Sequence, residues 1–239
     1  MTALRREGEW PGRVILRWLF MRGELRPWDD DADAAVLRVG YATDGFVDQC
    51  IRTALTAAPI VRSPVVSDDD AGRWETRGFR PELELMVMES SLATTSDVDP
   101  DPLIHRGGID GLRDVDNAAF EKPWRVSQLG LEDAMAATPF ADTLAITREG
   151  EITAFAIVGA DRHGVAYLQR IATAPQWRGQ GFGSHLIEAA HSWAVAKGCE
   201  RLLLNVRPDA KNVIDLYLAH HFEPHDLSLR VFRRDNLED

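Results

Sequence analysis

The chain has 239 residues, room for two small domains, and its 45% apolar and 27% charged residues exclude wholesale disorder. With 27 Lys and Arg against 38 Asp and Glu the net charge is −11, a field that repels polyanions, so no nucleic-acid partner is expected. The two cysteines, Cys50 and Cys199, have no CxxC partner, which excludes a disulfide framework and a thiolate zinc site and fits a reducing cytoplasm.

Taken in chain order, the first apolar stretch, Val14 to Met21, is short and interrupted by Arg17. A membrane span needs roughly 18–20 apolar residues, and no signal peptide is evident, so a cytoplasmic protein with no membrane partner is expected. Further on, Trp74-Glu-Thr-Arg-Gly-Phe79-Arg-Pro81 lines up with Tyr217-Leu-Ala-His-His-Phe222-Glu-Pro224 at a constant offset of 143 residues. Each copy runs into an alternating strand, Leu83/Leu85/Val87 in the first and Leu227/Leu229/Val231 in the second. Present only twice, the pattern reads as a duplication, or as two unrelated helix-turn-strand units that happen to be similar.

Ala93 to Pro102 carries two prolines and three aspartates with few apolar residues, the composition of an exposed linker. It divides the chain into residues 1–92, a linker at 93–103, and a C-terminal domain at 104–239. In that domain, helical spacing covers Asp110 to Phe120 and Val126 to Ala137. Thr143 to Thr147 and Ile152 to Val158 flank a polar turn at Gly150 and form a hairpin. A third strand, Val165 to Thr173, follows. Ser184 to Lys197 carries one apolar stripe and ends at Gly198, the mark of a helix. Arg201 to Val206 reads as a strand buried on both faces. A short helix from Asn212 to Ala219 and an alternating strand, Leu227 to Val231, complete the order α-α-β-β-β-α-β-α-β. The fold class is therefore α+β, a mixed sheet wrapped by helices.

Arg178-Gly179-Gln180-Gly181-Phe182-Gly183 sits between a strand and a helix. Three alternate glycines there permit a tight turn and close approach to the backbone. The N–H groups of the loop and the positive end of the helix dipole suit a pyrophosphate. A dinucleotide fingerprint fails on spacing, because Leu186 or Ser184 stands where its third glycine belongs. A Walker loop fails for want of Gly-Lys-Ser/Thr.

Arg178-x-x-Gly181-x-Gly183 resembles the R/Q-x-x-G-x-G/A signature of the GCN5-related N-acetyltransferases, the GNAT superfamily. Ile171-Ala-Thr-Ala-Pro175 is similar to the strand that precedes that signature. Val206-Arg-Pro, Ile214-Asp-Leu-Tyr217 and Phe222 are similar to its later conserved segment. Phe120-Glu-Lys-Pro-Trp124 resembles the F-P-W segment of the ribosomal-protein N-terminal alanine acetyltransferases, the nearest in motifs. The N-terminal part looks like a smaller, degenerate GNAT-like lobe without a Gly-rich loop, as in the tandem mycothiol synthases.

The resemblance implies a GNAT acyl-CoA N-acyltransferase fold and an acetyl-CoA-dependent N-acetyltransferase. Its acceptor would be a primary amine, on a small molecule or a peptide N-terminus, and its assembly a monomer or homodimer. It implies that acetyl-CoA, the co-substrate, lies on Arg178, Gly179, Gln180, Gly181, Phe182, Gly183 and Ser184. The pantetheine arm would run beside Ile171, Ala172 and Thr173, in a V between the strands Val165–Thr173 and Arg201–Val206. Tyr217 takes the position of the general acid that protonates the leaving thiolate. Asn205 stands where the alanine acetyltransferases carry a glutamate base, and Ala210 where they carry an asparagine that contacts CoA. These departures keep a second reading open, a CoA-binding regulatory module without catalysis. Glu121 and Asp161 are available as bases by position, and each also reads as a solvated charge. His220, His221 and His225 lack the spacing of a ligand set, so no metal is expected.

Overall fold

The computed structural model describes residues 4–92 and 104–236, and the linker expected at 93–103 lies outside them. The chain begins with four strands, β1 (Arg5–Glu7), β2 (Val14–Trp18), β3 (Met21–Trp28) and β4 (Asp31–Val39). Helix α1 (Asp44–Ala57), the short strands β5 (Ile60–Arg62) and β6 (Val66–Ser67), helix α2 (Asp68–Glu75) and the long strand β7 (Arg80–Ser91) follow. After the linker come β8 (Ile104–Gly107), α3 (Leu112–Ala119), α4 (Gln128–Ala136), β9 (Phe140–Arg148), β10 (Glu151–Ala160) and β11 (Val165–Thr173). The chain closes with α5 (Phe182–Ala196), β12 (Arg201–Val206), α6 (Lys211–Ala219) and β13 (Glu223–Asp235). Relative to the expected order, β8 is an added edge strand, paired antiparallel with β9 from Ile104↔Ile146 to Gly107↔Thr143.

Two compact units result, and their boundaries differ from the 1–92 and 104–239 division drawn at the linker. One unit is Met1–Leu85 together with Leu227–Asp239; the other is Met86–Asp226. The physical reason is strand pairing. In the first unit β13 hydrogen-bonds antiparallel to β5, with Arg233↔Arg62, Arg234↔Val61 and Asp235↔Ile60. In the second, the end of β7 pairs antiparallel with β12, from Met86↔Val206 to Ser91↔Arg201. The last strand of each sequence copy thus completes the unit built by the other copy.

The repeat is visible in three dimensions. β4 and β5 are parallel and joined through α1, as β11 and β12 are parallel and joined through α5. At the end of α2 the Phe79 N–H donates to the Trp74 carbonyl at 3.2 Å; at the end of α6 Phe222 donates to Tyr217 at 3.0 Å. Gly78 and His221 occupy matching left-handed positions, φ +76° and +65°. The paired rings lie 5.0 Å apart for Trp74–Phe79 and 5.6 Å for Tyr217–Phe222. A turn of this kind ends the helix and buries the aromatic that follows against its last turn.

In the second unit the strand order is β7-β12-β11-β10-β9-β8. β10 is buried on both faces, and its alternation separates two cores. Ala154, Ala156, Val158 and Ala160 join the core that contains Leu186, Ala190 and Trp193 of α5. Phe155 and Ile157 join the core that contains Leu112 and Val115 of α3 and Leu131 of α4. β12 corrects an expectation: Leu202, Leu204 and Val206 are buried while Arg201 and Asn205 are exposed, so it is covered mainly on one face. In the first unit the core gathers Leu16, Leu25, Leu37, Phe46, Trp74 and Phe79, and Phe232 from β13 is fully buried among them.

Phe232→Ala should therefore destabilise the first unit by about 3–5 kcal/mol, the cost of a large buried aromatic truncation. Hydrogen exchange should show lost protection in β2–β5, a region remote in sequence. Loss confined to residues near 232 would contradict the exchanged-strand arrangement.

Candidate active site

Parallel pairing of β11 with β12 runs from Val165↔Arg201 to Leu168↔Leu204 and stops there, although β11 continues to Thr173 and β12 to Val206. The cause lies on the other edge of β11. Its register with β10 jumps from Val158↔Leu168 to Ile157↔Arg170, leaving Gln169 as an extra residue. Such a bulge bends its strand and interrupts pairing. Side-chain parity flips across it: Ala166 and Leu168 belong to the core under α5, whereas Ala172 belongs to the core under α3 and α4. The two parallel strands part, and the far end of β11 is left without a partner on that side among the described residues.

β11 leads into a 3-10 turn at Pro175–Trp177, the Arg178–Gly181 loop, and α5. Gly179 and Gly181 have φ of +76° and +81°, and a Cβ on Gly179 would meet nothing within 4 Å. These positions need glycine for backbone shape and leave the loop face open. Gly183 does not share that reason. A Cβ there would stand 3.2 Å from Leu216 Cδ2, so it serves the close packing of α5 on α6. The first turn of α5 carries no acidic residue and no side-chain cap, so its leading N–H groups remain available. Arg178 is exposed and folds back on the chain: one Nη donates to the Ala119 carbonyl at 2.8 Å and Nε to the Thr173 carbonyl at 3.4 Å. Phe182 is buried at 5% exposure, stacked at 6.2 Å on Trp177. Gln180 is exposed, and Ile171, Thr173 and Ser184 are partly buried.

Tyr217, 3% exposed, belongs to the core that also takes in Ile171 of β11. Burial pushes its pKa up to about 12, only partly offset by the positive charge of Arg170. Among the described residues its hydroxyl makes no hydrogen bond. Asn205, opposite Val87 on β7, is exposed.

Sequence reasoning passed over a buried ion pair here. Asp116 is fully buried, and its Oδ2 accepts from Arg170 Nε at 2.6 Å while Oδ1 accepts from the Val126 N–H at 3.1 Å. The signal was present, since Asp116 lies four residues after Leu112 and beside Val115 on the apolar stripe of α3. Asp161 sits at the other end of β11 and is a turn holder. It accepts from the N–H groups of Val165 and His163 at 3.0 and 2.7 Å, and those bonds hold its pKa below the usual carboxylate range. Glu121 is exposed on the loop after α3. Among the described residues no group of three His, Cys, Asp or Glu is placed to hold a metal, and no helix is long and apolar enough to cross a membrane.

The profile of the Acetyltransferase (GNAT) family matches residues 109–222. An acetyltransferase of Yersinia pestis is 30% identical over 106 residues, 44% of this chain and 73% of that protein. The chain belongs to the GNAT family of acetyltransferases. A Bacillus subtilis protein with the provisional name ribosomal protein bS18-alanine N-acetyltransferase is 28% identical over 134 residues, 55% of this chain and 84% of that one. In three dimensions the chain is similar to a tandem GNAT protein from the clavulanic acid biosynthesis pathway. The TM-score is 0.63 at 10% identity, over 95% of this chain and 83% of that one, a likeness of fold. The GNAT profile covers the bulge, the glycine loop and Tyr217 together.

Two glycines of the GNAT loop, Gly179 and Gly183, should respond differently to substitution. Gly183→Val should cost about 1–3 kcal/mol by overpacking against Leu216. Gly179→Ala, with open space and a left-handed backbone, should cost about 1 kcal/mol through strain alone. Urea denaturation of both variants measures the difference.

Proposed function

We propose that this GNAT protein is an acetyl-CoA-dependent N-acetyltransferase whose acceptor is a primary amine, on a small molecule or a peptide N-terminus. The observation that carries the reading is the parting of β11 from β12 at Leu168 and Leu204, directly before the glycine loop at the start of α5. The residues fit acetyl-CoA. Gly179 to Gly181, exposed, and Gly183 and Ser184, partly buried, lie at the positive end of a 15-residue helix, suited to a pyrophosphate. Ile171 to Thr173 lie on strand edge left unpaired, suited to the amide groups of the pantetheine arm in the manner of an added strand. Bound there, acetyl-CoA supplies an activated acetyl thioester.

The chain's own groups then have defined tasks. A backbone N–H at the strand bend, near Ile171 or Ala172, stabilises negative charge developing on the carbonyl oxygen. Tyr217 keeps its proton at neutral pH because burial raises its pKa to about 12, and it donates that proton to the departing sulfur. Asn205 cannot accept a proton, so the amine reacts in its free-base form; as the N–C bond forms and the C–S bond breaks, the surplus proton of the nitrogen passes to solvent, and solvent returns a proton to the Tyr217 phenolate. The likeness to the Bacillus subtilis protein supports a peptide N-terminus as one acceptor class.

The first unit is read as a catalytically silent, degenerate GNAT-like lobe. Its β4–α1 junction lacks the glycine loop, and Asp44 stands in the first turn of α1, where its charge opposes a phosphate. Calorimetric titration with acetyl-CoA should accordingly give one site per chain. Gly181→Asp should abolish that binding in a folded protein; unchanged affinity would remove the glycine loop from the site.

Tyr217→Phe keeps the ring packing and removes the hydroxyl. Thiol release over a panel of amines and alanine-headed peptides should fall by roughly 10²-fold in kcat with acetyl-CoA affinity unchanged. A wild-type protein that binds acetyl-CoA and turns over none of the panel would instead favour the regulatory module.

A further inference from the structure

The segment after α3, Ala119 to Trp124, is gripped from three sides of the opening. From the glycine loop, Arg178 donates to the Ala119 carbonyl at 2.8 Å. From β11, just past the bulge, Arg170 lies over the Phe120 ring at 3.9 Å and donates to the Trp124 carbonyl at 2.8 Å. From the residue following β12, Arg207 lies over the Trp124 ring at 4.8 Å. Trp124 is thus held by residues of both arms of the parted strands. Arg170 is itself fixed by the fully buried Asp116, whose second oxygen holds the Val126 N–H on the far side of the same segment.

We propose that Arg170 is a positioning residue for the acceptor: with Asp116 and Arg207 it sets Phe120–Trp124 as a rigid wall across the mouth of the opening. The proposal rests on the reading of that opening as the acetyl-transfer site. The arrangement exceeds what folding of the segment alone needs. A buried carboxylate is neutralised by any well-placed cation, yet here a planar guanidinium simultaneously pairs with Asp116, donates to a carbonyl and stacks on a ring. Only an arginine can do all three, because its donors are fixed in one plane. The wall acts on the acceptor side, since Phe120–Trp124 supply no residue of the glycine loop or of the Ile171–Thr173 edge that suit acetyl-CoA, and the loop touches the segment only at Ala119.

Arg170→Lys separates the two roles. Lysine keeps the charge opposite Asp116 and the positive field near Tyr217, but loses the fork to Trp124 and the planar stack on Phe120. With an alanine-headed hexapeptide as acceptor, the KM for peptide should rise at least tenfold while the KM for acetyl-CoA stays within twofold. Arg207→Gln, at a half-buried position, should raise the peptide KM several-fold with the same selectivity and with little risk to folding. A second readout needs no acceptor. In protein labelled with 5-fluorotryptophan, the fluorine resonance of Trp124, identified by its loss in Trp124→Phe, should shift or broaden in both variants while that of Trp193 stays fixed.

Both KM values rising together, or an unmoved Trp124 resonance with unchanged peptide KM, would overturn the proposal. A wild-type protein that binds no acetyl-CoA would overturn the proposed function instead, and the fluorine spectra would still decide whether Arg170 holds the wall.

Discussion

The site depends on one extra residue in one strand. Gln169 has no partner on β10, and the side chains beyond it change faces. Without the bulge Arg170 would follow Leu168 in strict alternation on a fixed register, and its side chain could not meet Asp116 as it does. With it, β11 leaves β12, opens a strand edge, and delivers a guanidinium to the α3 side of the sheet. The bulge needs room, and Gly159 on β10 provides it. A Cβ at Gly159 would come within 2.1 Å of Thr138 Oγ1 and 2.2 Å of Gln169 Nε2, so no other residue fits beside the Gln169–Thr138 hydrogen bond. The glycine looks like a weak point in a strand, and it makes room for the side chain of the bulged residue.

The duplicated plan and the chemistry are separable for a physical reason. What both copies keep is packing geometry: a parallel strand pair joined by a helix, then a short helix whose end aromatic meets a phenylalanine five residues on. Those contacts bury apolar area and persist while the core must stay filled. What the first copy lacks is the glycine loop at its helix start, where Asp44 stands in the first turn; such a loop contributes little to packing. Exchange of the last strands adds a constraint of its own. Each copy supplies the strand that finishes the other unit, so loss of either copy would leave an open sheet edge.

Much of this was legible in the chain. The Val165–Thr173 and Arg201–Val206 strands fall on the expected residues, and the helix after the glycine loop begins two residues before Ser184 because Gly181, not Gly183, is its cap. The constant 143-residue offset marked a turn that the structure repeats atom for bond. The glycine loop announced itself because backbone access leaves a compositional trace. The bulge left none: Gln169-Arg170 is an ordinary pair of strand residues, and register is settled by neighbours far away in sequence. The exchange of β7 and β13 was equally silent, since an alternating strand suits either sheet. Asp116 was readable only as an anomaly, a carboxylate on an apolar stripe, whose partner 54 residues later no local pattern identifies.

The glycine spacing itself carries more than one constraint. Gly179 and Gly181 adopt left-handed conformations and keep the loop open, whereas Gly183 has an ordinary backbone and lets Leu216 of α6 approach within 3.2 Å of where its Cβ would be. Leu216 is the residue before Tyr217. The same short motif that shapes the loop at one end therefore sets how closely α6 lies on α5 at the other, and with it the depth at which the Tyr217 hydroxyl is buried. Burial is what raises its pKa. Loop and tyrosine are joined through one helix contact, so a motif that reads as a phosphate signature also specifies the environment of a residue 34 positions further along the chain.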